Sequence, residues 1–209
     1  MRLRILIVVL FAGGSLLHAE PLYREDFQKA SVGGMPAGLL VLSGAFAVVK
    51  EQDNVFLELP GSPLETFGVL FGPNALPLAA TVRAKISGTK EGRKFPSFGV
   101  SLGGAGGYRL QMSAAKRTLE IFKDKEPVAS VPRVWKEGWT HLRLQMSKGP
   151  DGKWIIAGKA WEEGSEPAEW AVQFTAPQPP SPGRAAAWGA PYSGTPIRFD
   201  DFEIAVPGP

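Results

Sequence analysis

The chain has 209 residues, with 23 Lys+Arg against 20 Asp+Glu, 25 glycines, 19 prolines and no cysteine. Without cysteine it has neither a disulfide staple nor a thiol nucleophile, so a core must stabilise it alone, which is feasible at this length. The formal charge is only +3, and no Lys/Arg cluster is present, which excludes a nucleic-acid-binding role.

The first element in chain order is not structural. Arg2 and Arg4 precede an apolar run from Ile5 to Leu17, and small Ala19 stands before Glu20. This pattern predicts a secretory signal peptide over residues 1–19, too short for a good membrane span; an uncleaved anchor is the alternative. Its loss removes Arg2 and Arg4 and lowers the formal charge from +3 to +1. Residues 20–209 then form one domain, exported to the periplasm or the cell exterior, with no membrane attachment after cleavage, and expected to be a monomer.

Downstream, glycines and prolines punctuate short apolar runs at intervals of roughly 8–12 residues, the spacing of an all-β chain. AFAVVK (45–50) and VFLEL (55–59) flank a hairpin turn, and FGVLF (67–71) follows. TVRAKIS (81–87) alternates Val82, Ala84 and Ile86 inward with Thr81, Arg83 and Lys85 outward. SFGVSL (97–102) turns through GGAGG into YRLQMS (108–113), and TLEIF (118–122) meets EPVASV (126–131). WTHLRLQMS (139–147) turns at GPDG into KWIIAGKAW (153–161), then EWAVQF (169–174) leads to a stiff PQPPSP connector and the closing strand. Period-two alternation throughout predicts a sandwich of two antiparallel sheets.

Nucleophile and phosphate chemistry find little support. His141 is the only histidine after residue 19, and GGAGG (103–107) lacks the Lys-Ser/Thr that a phosphate loop requires. Sugar contacts are better supplied. In residues 139–147 Leu142, Leu144 and Met146 share the core side, leaving Trp139, His141, Arg143 and Gln145 outside. In residues 108–113 Arg109 and Gln111 point out. If both strands lie in one sheet, its outer face carries planar polar groups and an aromatic rim suited to a saccharide. The competing reading is an ordinary solvated sheet face with cross-strand polar pairs. Trp188 and Tyr192 flank Gly189-Ala190-Pro191 in a predicted loop, either as a sugar platform or as aromatics pinning the loop down.

The closing strand has a phase problem. Ile197 and Phe199 are apolar in one register, and Phe202, Ile204 and Val206 in the other, with the switch at Asp200-Asp201. One strand reaches a core in both phases only with a kink or bulge.

The order of acidic-Asp-Phe start, GYRLQM, TLEIF, GWTHLRLQM, GRAAAWG and RFDDFEI resembles the concanavalin A-like lectin/glucanase superfamily. Within it, the pattern is similar to its laminin-G-like secreted bacterial branch, which includes 3-keto-disaccharide hydrolase-like domains. The resemblance implies a jelly-roll β-sandwich with neighbouring terminal strands and a concave outer face as the usual glycan surface. It also implies a structural Ca²⁺ near the joined termini, for which Asp26, Asp200 and Asp201 are the candidate ligands. Arg24 and Arg198, one beside each acidic pair, offer a metal-free alternative and are the favoured partners because they are local. Glucanases of this superfamily carry E-x-D-x-E or E-x-D-x-x-E on one strand; the nearest match, Glu51-Gln52-Asp53, lacks the third acid and falls in a turn. The expectation is therefore a secreted, non-catalytic module binding glycan or cell-envelope polysaccharide through Arg109, Gln111, Trp139, His141, Arg143, Trp188 and Tyr192. A glycoside hydrolase of the same fold and a structural envelope protein are the alternatives.

Overall fold

The computed structural model describes residues 20–207 except 63, 64, 105 and 163, so the signal segment lies outside the described residues. Fifteen strands are formed: β1 (Tyr23–Glu25), β2 (Leu40–Ser43), β3 (Ala47–Glu51), β4 (Asn54–Leu59), β5 (Phe67–Phe71), β6 (Ala80–Gly88), β7 (Ser97–Leu102), β8 (Tyr108–Ser113), β9 (Thr118–Lys123), β10 (Glu126–Pro132), β11 (Gly138–Lys148), β12 (Trp154–Trp161), β13 (Val172–Ala176), β14 (Ala185–Ala190) and β15 (Ile197–Ala205). They make two antiparallel sheets. The first runs β13-β12-β11-β6-β15-β4-β3, with β1 also on β15; the second runs β10-β9-β8-β7-β14-β5-β2.

Alternation decides which side of each strand meets the other sheet. Val82, Ala84 and Ile86 on β6, and Leu142, Leu144 and Met146 on β11, are buried, facing Leu110 and Met112 of β8 and Val100 of β7 within one core cluster. The anticipated strands all form, with small shifts at their ends. β13 begins only at Val172, because Trp170 leaves the strand and covers Lys159, whose Nζ lies 4.5 Å from the indole centre. The edge strand β2 was not anticipated: Leu40 and Leu42 remain exposed, so its sequence carries no buried-face signature.

The last strand solves its phase problem with a bulge. Register against β6 slips between Asp200 and Glu203, and Asp201 adopts φ +51°, a left-handed conformation that re-aims the chain. Ile197, Phe199, Phe202 and Ile204 are all fully buried as a result. The bulge also marks a change of partner on the opposite edge of β15. β4 pairs with residues 197–199, and β1 pairs with 202–204. Phe202 stacks on Phe71 at 4.3 Å and meets the edge of Phe27 at 5.3 Å, so both ends of the chain lock into one aromatic cluster.

Candidate functional site

The two outward faces of the sandwich carry different chemistry. On the second sheet, β14 lies between β5 and β7, with Trp188 opposite Gly68 on one side and Gly99 on the other. Those glycines leave the sheet surface bare, and the indole lies down across it. A Cβ added at Gly68 would come within 2.5 Å of Trp188 Cζ3. The far end of the ring is tied by Trp188 Nε1, which donates to Ser101 Oγ of β7 at 2.8 Å. One half-buried indole thus spans β5 to β7.

Next to it on β8, the Arg109 guanidinium lies 5.8 Å from the Trp188 ring centre and 5.0 Å from that of Phe122 on β9. Burial pushes the Arg109 guanidinium below its ordinary pKa, against the opposing influence of the Tyr192 hydroxyl. Ser101, Gly104, Gly107, Arg109, Asp124 and Trp188 enclose a small pocket of about 40 Å³. Gln111 donates to Ser113 Oγ at 2.9 Å, and Ser113 in turn bonds buried Glu120. Tyr192, exposed beyond β14, keeps its hydroxyl 3.4 Å from Thr66 Oγ1.

On the first sheet, Trp139, His141 and Arg143 of β11 project outward. His141 stacks on Trp161 of β12 at 5.1 Å and 11°, and Lys85 Nζ sits 4.8 Å from the centre of Trp139. Lys85, Trp139, His141, Lys136 and Glu162 border an open groove of about 820 Å³, which Arg143 does not line. Its charges are largely matched. Lys85 approaches Asp201 at 3.9 Å, Glu162 binds Arg133 at 2.6 Å, and Glu137 approaches Lys90 at 3.9 Å. Arg143 makes two hydrogen bonds to Glu166, at 2.7 and 2.9 Å, and Lys159 reaches the same carboxylate at 2.7 Å. Burial alone would raise the Glu166 pKa, but the hydrogen bonds from Lys159 and Arg143 prevail and lower it. His141 is held below its usual pKa, first by burial and then by the Lys85 and Arg83 cations.

The premise of a single polar face therefore requires correction. β8 belongs to one sheet and β11 to the other, so Arg109 and Gln111 lie on the opposite side of the sandwich from Trp139, His141 and Arg143. Arg109, Gln111, Trp188 and Tyr192 stay together. Trp188 sits in a strand rather than a loop, because the small residues of AAAWGA fit between two neighbouring strands. Phe122 and Ser101 join this set without having been singled out. Their signal was available in the alternation of Thr118, Glu120 and Phe122, which places an aromatic side chain outward.

The candidate calcium carboxylates, Asp26, Asp200 and Asp201, are not gathered around one point. Asp200 Oδ1 accepts from its neighbour's backbone N–H, Asp201 N, at 2.8 Å, and Oδ2 accepts from Asn54 Nδ2 at 3.2 Å. Asp26 Oδ1 accepts from Gln28 N at 3.2 Å. Among the described residues no group of three or more His, Cys, Asp or Glu side chains gathers as a metal site. The arginine alternative also fails. Arg198 stands opposite Glu58 in the ladder and binds Glu58 and Glu51, at 3.3 and 2.8 Å, instead of Asp200 or Asp201. Amides join the two ends: Gln28 Nε2 donates to Asn54 Oδ1 at 3.0 Å, and Asn54 bonds Asp200.

No family model and no curated protein matches the sequence. Solved structures match it in fold. A mutant form of the Emp46p carbohydrate recognition domain superposes with TM-score 0.61 at 10% identity, covering 92% of this chain and 100% of that one. The Ca²⁺-bound exoplasmic/lumenal domain of VIP36 gives 0.56 at 8%, covering 88% and 89%. A Bacillus licheniformis beta-glucanase gives 0.57 at 8%, covering 90% and 99%. The fold is concanavalin A-like. Within this lectin/glucanase fold the Glu51-Gln52-Asp53 segment is a hairpin tip, with Gln52 at φ +55° and Glu51 engaged by Arg198. Strands β7, β8, β9 and β14 carry one carboxylate between them, Glu120, which is buried and held by Ser113 and Lys116.

Proposed function

We propose that this protein is an exported carbohydrate-binding module that holds a glycan on the outer face of its second sheet without cleaving it. The observation carrying this reading is the Trp188 indole laid across β5, β14 and β7 beside Arg109. A flat, half-buried indole offers an apolar platform to the C–H side of a sugar ring, and the flanking Arg109, Gln111 and Tyr192 supply groups for its hydroxyls. The likeness to lectin domains favours the same reading, although it is a likeness of fold. Hydrolysis would need two carboxylates flanking the scissile bond. Glu120 alone on the central strands, already bonded, argues for binding over cleavage.

A glycan array combined with a reducing-sugar release assay tests this. Retention without release is expected. Trp188→Ala should weaken retention at least about tenfold with its melting temperature near that of the parent, while Trp139→Ala on the opposite face leaves retention unchanged. Release of reducing ends, or no retention of any glycan by folded protein, overturns the proposal.

A further inference from the structure

Arg109 differs from the other half-buried arginines. Arg83 meets Glu203 at 2.8 Å, Arg133 meets Glu162 at 2.6 Å, and Arg143 and Arg198 each meet a carboxylate. Arg184 donates to the carbonyl of Gly72 at 2.8 Å. Arg109, among the described residues, has no acceptor for any of its N–H groups; its Nε is buried without a partner, as are those of Arg83, Arg133, Arg143 and Arg184, but in each of those the guanidinium is bonded through another nitrogen. Asp124, which shares its pocket, is 3.5 Å from Lys123 Nζ and does not pair with Arg109. Two aromatic rings flank the guanidinium, Phe122 at 5.0 Å and Trp188 at 5.8 Å. A half-buried cation with no protein acceptor keeps unmet hydrogen-bonding capacity, which an incoming anion can satisfy. The pocket, about 40 Å³, accepts one small anionic group. On its floor Ser101 already receives the Trp188 N–H, which leaves the Ser101 hydroxyl hydrogen unspent.

We infer that the glycan held on this face is acidic, its carboxylate or sulfate seated on the Arg109 guanidinium while an adjoining sugar ring covers Trp188. This rests on the carbohydrate-binding reading above and names its ligand class. The planar guanidinium matches two oxygens of either anion with parallel hydrogen bonds.

Matched pairs of polymers test it by affinity electrophoresis and calorimetry: polygalacturonate against its methyl ester for the carboxylate, and dextran sulfate against dextran for the sulfate. The wild-type protein should bind one charged member at least about tenfold more tightly than its neutral match. Arg109→Gln should abolish that preference while keeping any residual neutral binding that depends on Trp188. If Arg109→Gln does not fold, added NaCl provides the second measurement. It should weaken the charged polymer selectively in the wild-type protein. Equal binding of both members, or a preference that survives Arg109→Gln, overturns the inference. Should an array show neutral glycans bound and no charged preference, the inference falls while the module reading stands. Should no glycan of either kind be retained, both fall.

Discussion

The two outer faces of the sandwich arise from the same alternation, yet they use charge in opposite ways. On the first sheet Arg83, Arg143, Lys159 and Arg198 each lie within 3.3 Å of a carboxylate from a neighbouring strand or loop. Its aromatic rings are occupied too, Trp139 by Lys85, Phe56 by Arg198 and Trp170 by Lys159. On the second sheet the central strands carry one outward arginine, and nothing described neutralises it. The larger groove lies on the first face, but Lys85, Glu137 and Glu162 on its border already have protein partners. A surface whose polar groups satisfy one another contributes to the fold. A surface that leaves a half-buried cation unmatched retains binding capacity for a ligand, and this decides between the faces more firmly than groove volume does.

The largest test of that contrast is removal of Glu166. Its carboxylate is shared by Arg143 and Lys159, and the Lys159 side chain is almost fully buried. Glu166→Ala leaves two cations close together without their anion, which should destabilise the protein by about 2 kcal/mol. For a domain of this size that is a fall in melting temperature of roughly 4–8 °C. Glycan retention should not change. An unaltered melting temperature with lost retention would move the binding surface to the first sheet.

A smaller effect concerns His141 on the same face. Its folded-state pKa lies below the ordinary 6.5, so the folded protein resists protonation that the unfolded chain accepts. The stabilising contribution is therefore fully present above about pH 6.5 and is lost as pH falls from there through the folded pKa. Replacing His141 by Gln should flatten the decline of melting temperature across this window. An identical pH profile in the variant would show that burial against Trp161 and the neighbouring cations does not hold the imidazole neutral. Glycan affinity, which depends on the other face, should show no His141-dependent change over the same range.

Much of this architecture was legible because alternation reports which side of a strand faces the core. VRAKI and LRLQM gave correct inside and outside assignments, and the two apolar phases of IRFDDFEI located the bulge within a residue or two. Alternation says nothing about which strand lies beside which. Hence Arg109 and His141, both correctly placed outward, share a face only if β8 and β11 lie in one sheet, and the two strands lie in different ones. The same limit misled the ion pairing. Arg198 is two residues from Asp200 in sequence, but the ladder sets it opposite Glu58, and cross-strand register prevails over sequence proximity. Trp188 next to Gly189 and Pro191 has the composition of a loop, and only the pairing of β14 on both edges makes those small residues a strand. The unpaired state of Arg109 is a statement about absent neighbours, which no local pattern encodes.

The smallest expected effect is at the joined termini, where the charge ledger of the first sheet closes. Burial raises the Asp200 pKa, with the bonds from Asp201 N and Asn54 Nδ2 opposing it. Both carboxylate oxygens already accept a donor, and the side chain is nearly inaccessible. A calcium ion here would compete with the Asn54 amide for Asp200 Oδ2 and weaken the link that Gln28 and Asn54 form between the terminal strands. Calcium added to EDTA-treated protein should therefore produce no calorimetric binding heat and no rise in melting temperature. Asn54→Ala removes the donor and frees Asp200 Oδ2. In that variant the protein should lose about 1 kcal/mol of stability, again without a calcium response, because among the described residues no second and third carboxylate converge on the same point. A calcium-dependent rise in melting temperature of the wild-type protein would mean that the bulge rearranges around the ion, and that the paired face keeps an unmatched site of its own.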